Sequence, residues 1–108
     1  MLVYFGMIYH VTTSSEWRAC LEQDVYAPGA YASEGFIHAS LRHQVSGVLQ
    51  RYFRDQQDLL LLHINENKLS APIKFEMAAN QESFPHVYGK INKSAIERTE
   101  SISASFSF

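Results

Sequence analysis

Residues 59–64 read Leu-Leu-Leu-Leu-His-Ile, a nearly continuous apolar run of strand length. A helix with one solvent-exposed face would show polar residues every three or four positions. A strand with one solvent-exposed face would alternate polar and apolar residues. A short run with neither period is typical of a strand that is covered on both faces. We therefore predict a buried central strand here, with the rest of the fold arranged around it.

Downstream of this run the pattern predicts further strands. Residues 73–77 (Ile-Lys-Phe-Glu-Met) alternate in polarity, as a half-buried strand does. Residues 87–90 and 95–102 are predicted to be the last two strands. We interpret the intervening Ile-Asn-Lys-Ser at 91–94 as the turn that separates them.

Upstream, residues 7–11 are rich in β-branched and aromatic side chains and predict a first strand. A helix is predicted over residues 14–23, because Thr13 can cap its start and Glu16 can reach back in a capping box. The predicted core side of this helix contains Trp17, Cys20 and Leu21. A loop with Pro28 and Gly29 follows it.

A second strand and a second helix complete the first half of the chain. Residues 36–39 predict the strand, and Ser40 is the predicted cap of the helix. The apolar stripe of this helix has the spacing i, i+3, i+4, i+7 and i+8, at Val45, Val48, Leu49, Tyr52 and Phe53. Helices early and strands late favour an α+β fold over a doubly wound parallel sheet.

The chain has 108 residues, which suits one domain with its own core. We expect an N-terminal extension at 1–6, a domain at 7–101, and a tail or edge strand at 102–108. In the tail, apolar residues alternate with serines. Two interpretations stay open: a frayed terminus, or an edge strand that pairs with the domain or with a second copy in a homodimer.

Composition narrows the classes of function. Charged residues make up 19% of the chain and the formal net charge is -2, with Lys and Arg scattered, so a nucleic-acid partner is not expected. Residues 1–9 are apolar but too short to span a membrane and lack a basic leader, so we expect a cytoplasmic protein. The single cysteine, Cys20, forms no internal disulfide and is predicted to be a buried packing residue.

Five histidines are the conspicuous chemical feature. His63, inside the apolar run, and His43, on the second helix, are interpreted as structural. His10 and His38 each follow two apolar residues at the end of a predicted strand, just before a helix. Sites collect at such strand ends because free N–H groups at helix starts favour anions. Ser40 and Arg42 are candidate phosphate contacts there, the alternative being a simple cap beside a solvated arginine.

One carboxylate lies in a predicted strand, Glu76. It is interpreted either as a surface residue of an edge strand or, if it faces the histidines, as a group that orients a ribose hydroxyl or acts as a base. The sequence has no His-x-His, no His-Glu-x-x-His and no cysteine pair, so no metal site is predicted.

Three stretches together resemble an uncharacterised bacterial family of small domains. They are Ile-Tyr-His-Val-Thr-Thr at 8–13, Glu-Gly-Phe-Ile-His-Ala-Ser at 34–40, and Phe-Pro-His-Val-Tyr-Gly at 84–89. The family is understood to share the ADP-ribosyltransferase fold, a split and curved sheet that holds NAD. The second stretch is similar to a motif of the RNA 2′-phosphotransferases.

The resemblance implies a domain with two helices near its N-terminus that binds NAD, as a co-substrate, or another small nucleotide containing ADP-ribose. It implies that His10, His38 and Glu76 carry the chemistry. It also assigns ligand binding to a second set: Thr12, Ser40, Arg42, His86 and Tyr88. The chain departs from the phosphotransferases in having no arginine before His10. The rival interpretation is a non-catalytic module whose histidines form a structural or anion-binding network.

Overall fold

The computed structural model describes residues 6–108, so all of the predicted extension except Gly6 lies outside the described residues. In this range the α-helices and strands follow one another as β1 (Met7–Thr13), α1 (Ser14–Arg18), β2 (Val25–Tyr26), α2 (Tyr31–Glu34), β3 (Ile37–His38), α3 (Val45–Tyr52), β4 (Leu59–Asn65), β5 (Ile73–Met77), β6 (Ser83–Val87), β7 (Ile91–Asn92) and β8 (Ile96–Ile102). Short 3₁₀ turns occupy Arg42–Gln44, Glu66–Lys68 and Lys93–Ala95.

The strands form two antiparallel sheets of three strands, β1-β4-β8 and β3-β6-β5, and a small pair, β2-β7. The two larger sheets meet at one point beside β3. There the backbones of Tyr9 and Ser40 exchange two hydrogen bonds of 2.8 and 2.7 Å. The predicted α+β class is therefore confirmed, with mostly antiparallel strands and few helices.

Strand β4 is central and buried, as its apolar run predicts. It pairs with β1 on one side and with β8 on the other, and alternate side chains enter opposite cores. Leu62 and Ile64 enter the Tyr26 core, made of Ile8, Cys20, Tyr26, Ile37, Ala39, Leu62, Ile64, Val87, Ile91 and Ala95. Leu59 and Leu61 enter the α3 core, made of Tyr9, Val11, Val45, Val48, Leu49, Leu59, Leu61 and Phe84.

The first helix is shorter than the predicted 14–23. Thr13 caps it by accepting a hydrogen bond from the Glu16 N–H, but the Glu16 carboxylate accepts from Gly29 instead of closing the capping box. The helix stops at Arg18 and tightens into turns, and Lys93 Nζ donates to the carbonyls of Cys20 and Leu21. Cys20 is buried as predicted, whereas Leu21, predicted to face the core, is 61% exposed.

Ser40 is not the helix cap that the sequence predicts, because its backbone pairs with β1. The chain then makes a 3₁₀ turn before α3, and the Gln44 side chain accepts a hydrogen bond from the Leu41 N–H at its start. In α3, Val45, Val48 and Leu49 are buried as predicted. Of the last two residues of the predicted stripe, Tyr52 is 63% exposed, whereas Phe53 packs against the α3 core.

The last third of the chain differs most from the prediction. Strand β6 covers Ser83–Val87, before the predicted 87–90, and the predicted turn at 91–94 begins with β7. Pro85 misleads here, since proline is rare inside a sheet. The Pro85 carbonyl accepts a hydrogen bond from the Ala39 N–H, just past the short strand β3. Pro85 therefore takes part in the sheet as an acceptor, although it has no N–H to donate. Strand β8 agrees with the predicted 95–102 within one residue.

Residues 103–108 form neither a frayed end nor a strand. Ala104 and Phe106 pack against the α3 core. The Phe108 ring lies 5.0 Å from that of Tyr9, between centroids, and the Arg42 guanidinium carbon lies 4.1 Å from the Phe108 centroid. Strand β8 ends the order of its sheet, and a homodimer through that edge stays a prediction. Among residues 6–108, none of the helices has the length and apolar character needed to cross a membrane.

Candidate functional site

A cleft of about 660 Å³ opens where the two larger sheets meet, which is within the size range of small-molecule sites. Its walls come from β1, the segment 34–40 with β3, the C-terminal half of α3, the turn between β5 and β6, and β6. Histidines occupy the floor and one wall: His10, His38 and His86. Thr12 and Ser40, both predicted to bind the ligand, also line the cleft.

His10 is held inside the protein by both ring nitrogens. Nδ1 donates to the His38 carbonyl at 2.7 Å, since a carbonyl can only accept. Nε2 lies 2.9 Å from the Tyr26 hydroxyl, which is in turn 2.8 Å from the Thr12 hydroxyl. Burial lowers the pKa of His10 to about 4, so the ring is neutral at pH 7. This side chain therefore links β1 to β2 and β3.

His38 faces the cleft with a neutral ring. Its ring centroid lies 4.9 Å from that of Phe84 and 5.5 Å from that of His86. Burial, followed by the neighbouring His86, His10 and Arg51, lowers the pKa of His38 to about 4. Neither ring nitrogen has a hydrogen-bond partner among residues 6–108, so both are available to a ligand.

His86 is oriented by a carboxylate from the neighbouring strand. Its Nδ1 lies 2.7 Å from Glu76 Oε1, and the Tyr88 hydroxyl donates to the same oxygen. The Phe36 ring stacks on the imidazole, with centroids 4.2 Å apart and an angle of 12°. The hydrogen bond from Tyr88, and then that from His86, lower the pKa of Glu76. The same bond raises the pKa of Tyr88.

The predicted site residues therefore divide into two groups. His10, His38, His86, Thr12 and Ser40 line the cleft. The others do not: Glu76 bonds to His86, Tyr88 contacts Glu76 and the Phe36 ring, and Arg42 lies over Phe108.

The two histidines interpreted as structural also lie outside the cleft. His63 Nε2 is 2.9 Å from Glu100 on β8, and its ring packs edge-on against Tyr9. His43 is exposed on the 3₁₀ turn before α3.

The sequence analysis did not predict Arg51 as a site residue. Among residues 6–108 it is the one basic side chain, Lys or Arg, that lines the cleft. It lies on α3, three positions after Val48, whose side chain also borders the cleft, so the helical spacing carries the signal. Its guanidinium is 3.7 Å from Glu82 and remains 41% exposed. Phe36 and Phe84 were missed as walls because isolated aromatic residues usually indicate core packing.

Two carboxylates, Glu16 and Glu34, also line the cleft. The Glu16 carboxylate accepts a hydrogen bond from the Gly29 N–H, with Oε2 2.6 Å from the nitrogen. In the described part of the chain, no group of three or more His, Cys, Asp or Glu side chains is arranged to hold a metal ion.

Comparisons with known proteins agree with the fold. Residues 11–99 match the model of a family described as protein of unknown function (DUF952). The crystal structure of protein CC0527 from Caulobacter crescentus is similar, with a TM-score of 0.81 and 28% identity over 90% of this chain and 86% of that one. The solution structure of CC0527 gives a TM-score of 0.77 and 27% identity, over 92% and 86%. Among curated proteins, none matches the chain.

Proposed function

The chain belongs to the DUF952 family, and from its cleft we propose an ADP-ribosyltransferase-like domain that binds NAD or another ligand containing ADP-ribose. The observation that carries the proposal is the cleft itself, where His38 and His86 stand side by side within an aromatic frame. ADP-ribosyl transfer is the reaction class that this proposal assigns to the site.

The location of the resembling stretches supports the proposal. Each of the three contributes lining residues to the same cleft: 8–13 through β1, 34–40 around β3, and 84–89 through β6. They are far apart in sequence and are brought together only where the two sheets meet. A resemblance confined to core packing would have no reason to converge on one cavity.

The chemistry of the walls also suits such a ligand. Phe36, which is partly exposed and stacks on His86, offers an aromatic surface for a planar base or a nicotinamide ring, whereas Phe84 is 2% exposed and packs beside His38. Arg51 offers a guanidinium for a diphosphate. Thr12 and Ser40 also border the cleft, but they are 4% and 2% exposed and the Thr12 hydroxyl already accepts a hydrogen bond from Tyr26, so their contact with a ribose stays a prediction.

Within this proposal the predicted catalytic set acquires different roles. His38 contacts the ribose or the diphosphate through its unoccupied nitrogens. His10 holds the wall in place, since both its nitrogens are already bonded. Glu76 acts through His86. The predicted ligand contacts of Arg42 and Tyr88 stay predictions, because neither side chain lines the cleft.

The first test is an NMR titration of the purified protein with NAD, ADP-ribose and AMP. We expect shifts at His38, His86 and Phe36 on addition of NAD and ADP-ribose. His38→Ala and Arg51→Gln should each raise the Kd for NAD about 10-fold, since a contact of about 1.4 kcal/mol corresponds to that ratio.

Matched controls lie a few residues further along the chain. His43 and Arg54 are exposed and outside the cleft, so His43→Ala and Arg54→Gln should leave the Kd unchanged. The absence of any shift at millimolar NAD and ADP-ribose, or an equal effect of the control variants, would contradict the proposal.

A second candidate, a non-catalytic module with a structural histidine network, is favoured by one observation. His10 is 7% exposed and fully hydrogen-bonded within the protein. Under this alternative, nicotinamide is never released from NAD, even where NAD binds. A nicotinamide-release assay therefore separates the two candidates.

A further inference from the structure

The pair formed by His86 and Glu76 has a geometry that the binding proposal does not use. Glu76 Oε1 lies 2.7 Å from Nδ1 of the ring. Because a carboxylate can only accept, Nδ1 carries the proton and donates the hydrogen bond. In the neutral ring, Nε2 then carries the lone pair. A carboxylate that fixes the tautomer of an imidazole in this way is the arrangement that enzymes use to prepare a base.

The lone pair of Nε2 is open to the cleft. No hydrogen-bond partner for this atom lies among residues 6–108. Within residues 6–108, Glu66 Oε2 is the buried side-chain N or O atom that has no hydrogen-bond partner. His86 Nε2, which also has none, is therefore not fully buried. The imidazole is 15% exposed and lines the cavity, so Nε2 can meet a ligand there.

The ring is held against movement on both sides. Phe36 stacks on its face, and the Tyr88 hydroxyl donates to the carboxylate oxygen that holds Nδ1. The Lys74 ammonium lies 4.9 Å from the Tyr88 ring centroid, so Tyr88 is also held by a cation–π contact. These contacts hold one rotamer of His86, which a base needs in order to meet a proton at a fixed place.

We propose that His86 Nε2 is the general base that accepts a proton from a hydroxyl group attacking the ligand, and that Glu76 is its positioning residue. The inference rests on the proposed function and names its acceptor class: a neutral hydroxyl, from water or an alcohol.

The step balances. The bond between the ribose C1′ and the nicotinamide nitrogen breaks, and its electron pair leaves with neutral nicotinamide. The acceptor oxygen forms the new bond to C1′, and its proton passes to His86 Nε2. The resulting imidazolium is stabilised by the Glu76 carboxylate.

His38 does not compete for this role in the structure. Among residues 6–108 its ring has no carboxylate partner, and its neighbours are Phe84, His86 and the His10 region. A carboxylate beside the ring is what stabilises the protonated form, and of the two imidazoles His86 has one.

The test compares each variant with the wild type using two acceptors, one that needs a base and one that does not. Methanol must lose a proton when it attacks, whereas azide attacks as an anion and loses none. With NAD as donor, we expect His86→Ala to lower the methanol-dependent rate by about 10²–10⁴-fold. The azide-dependent rate should fall less, because azide needs no base and its reaction loses only the contact that His86 makes as part of the cleft wall. Glu76→Gln should show the same split, with a methanol loss of about 10–100-fold.

A second measurement is independent of turnover. Imidazole ¹⁵N spectra should report the Nδ1–H tautomer of His86 in the wild type, and a mixture of tautomers in Glu76→Gln. The matched control is the other histidine–glutamate pair, His63 and Glu100, which lies outside the cleft. His63→Ala and Glu100→Gln should leave both acceptor rates unchanged.

The outcomes separate the two ideas. Equal losses with methanol and azide, while wild-type protein still binds NAD and releases nicotinamide, would overturn the base and leave the proposed function standing. A Glu76→Gln spectrum identical to that of the wild type would overturn the positioning role. Failure of the wild type to bind NAD would remove the proposed function, and the inference with it.

Discussion

His10 illustrates how one residue can be a site residue by position and a structural residue by bonding. It borders the cleft, yet its two nitrogens are used by the His38 carbonyl and the Tyr26 hydroxyl. The sequence predicted His10 as a site residue because it was expected at a strand end, but β1 continues to Thr13 and His10 lies in the middle of the strand. The bonding of His10 was not predictable, because the partners come from 16 and 28 residues away.

The depressed pKa of His10 makes stability depend on pH. The pKa is about 4 in the folded protein and 6.5 in the unfolded reference, so only the unfolded chain takes up a proton between these values. The contribution of this pKa difference to the free energy of unfolding is therefore fully present above pH 6.5 and is lost as the pH falls towards 4. For a shift of this size the loss reaches about 3 kcal/mol for His10.

His10→Gln provides the measurement of this effect. Glutamine can donate and accept hydrogen bonds but does not titrate, so the fall in unfolding free energy between pH 6.5 and 4 should be shallower than in the wild type. Urea unfolding at several pH values measures it. His43→Gln removes an exposed histidine and should keep the wild-type slope. Identical slopes in His10→Gln and wild type would refute the role of His10.

At the level of elements, long apolar patterns were predicted well and short elements were not. Strands β1, β4, β5 and β8 follow from runs of apolar, β-branched or alternating residues, and the buried side of α3 follows from helical spacing. The two-residue strands β2 and β7 have no period of their own, and exist because Tyr26 and Ile91 pair inside a core. Strand β6 was displaced in the prediction because it contains Pro85.

Two of the glycines with positive φ follow α2 and β6, and they should respond differently to substitution. Gly35 ends α2 with φ of 79° and leads into Phe36, and a Cβ there would meet nothing within 4 Å. Gly89 follows Tyr88 with φ of 156°, and a Cβ would lie 2.8 Å from the Ala71 Cβ. Ala71 Cβ is fixed to the backbone and cannot rotate away.

We therefore expect Gly35→Ala to cost about 1 kcal/mol from backbone strain alone. Gly89→Ala should cost about 2–4 kcal/mol, because steric overlap adds to strain. Urea unfolding of both variants measures the difference. Equal costs would show that the contact with Ala71 relaxes freely.

At the scale of the whole molecule, two cores share a single sheet. Leu61 and Leu62 are adjacent on β4, both 0% exposed, and enter the α3 core and the Tyr26 core respectively. The sheet between them is continuous from β1 to β8. Damage to either core should therefore destabilise the entire domain.

Leu61→Ala and Leu62→Ala should each lower the unfolding free energy by about 2–5 kcal/mol. Trp17, the one tryptophan of the sequence, packs against the Tyr26 core and reports on that side. Its fluorescence and the far-UV circular dichroism should unfold together in both variants. Separate transitions in Leu61→Ala would show that the two cores unfold independently.

The site was predictable in part for a reason visible at this scale. Residues that carry a recognisable local pattern, such as His38 before Ser40, can be found along the chain. The pairing of Glu76 with His86 requires the register of β5 against β6. Arg51 joins the cleft only because α3 packs across β1.

The meeting point of Tyr9 and Ser40 joins the two larger sheets by two backbone hydrogen bonds, next to the bond from His10 to the His38 carbonyl. Both sheets also bury side chains in the Tyr26 core, Ile8 and Leu62 from one sheet and Ile37 and Val87 from the other. The angle between the cleft walls is therefore fixed by close packing as well as by the backbone, and a ligand meets walls whose spacing is set before it binds.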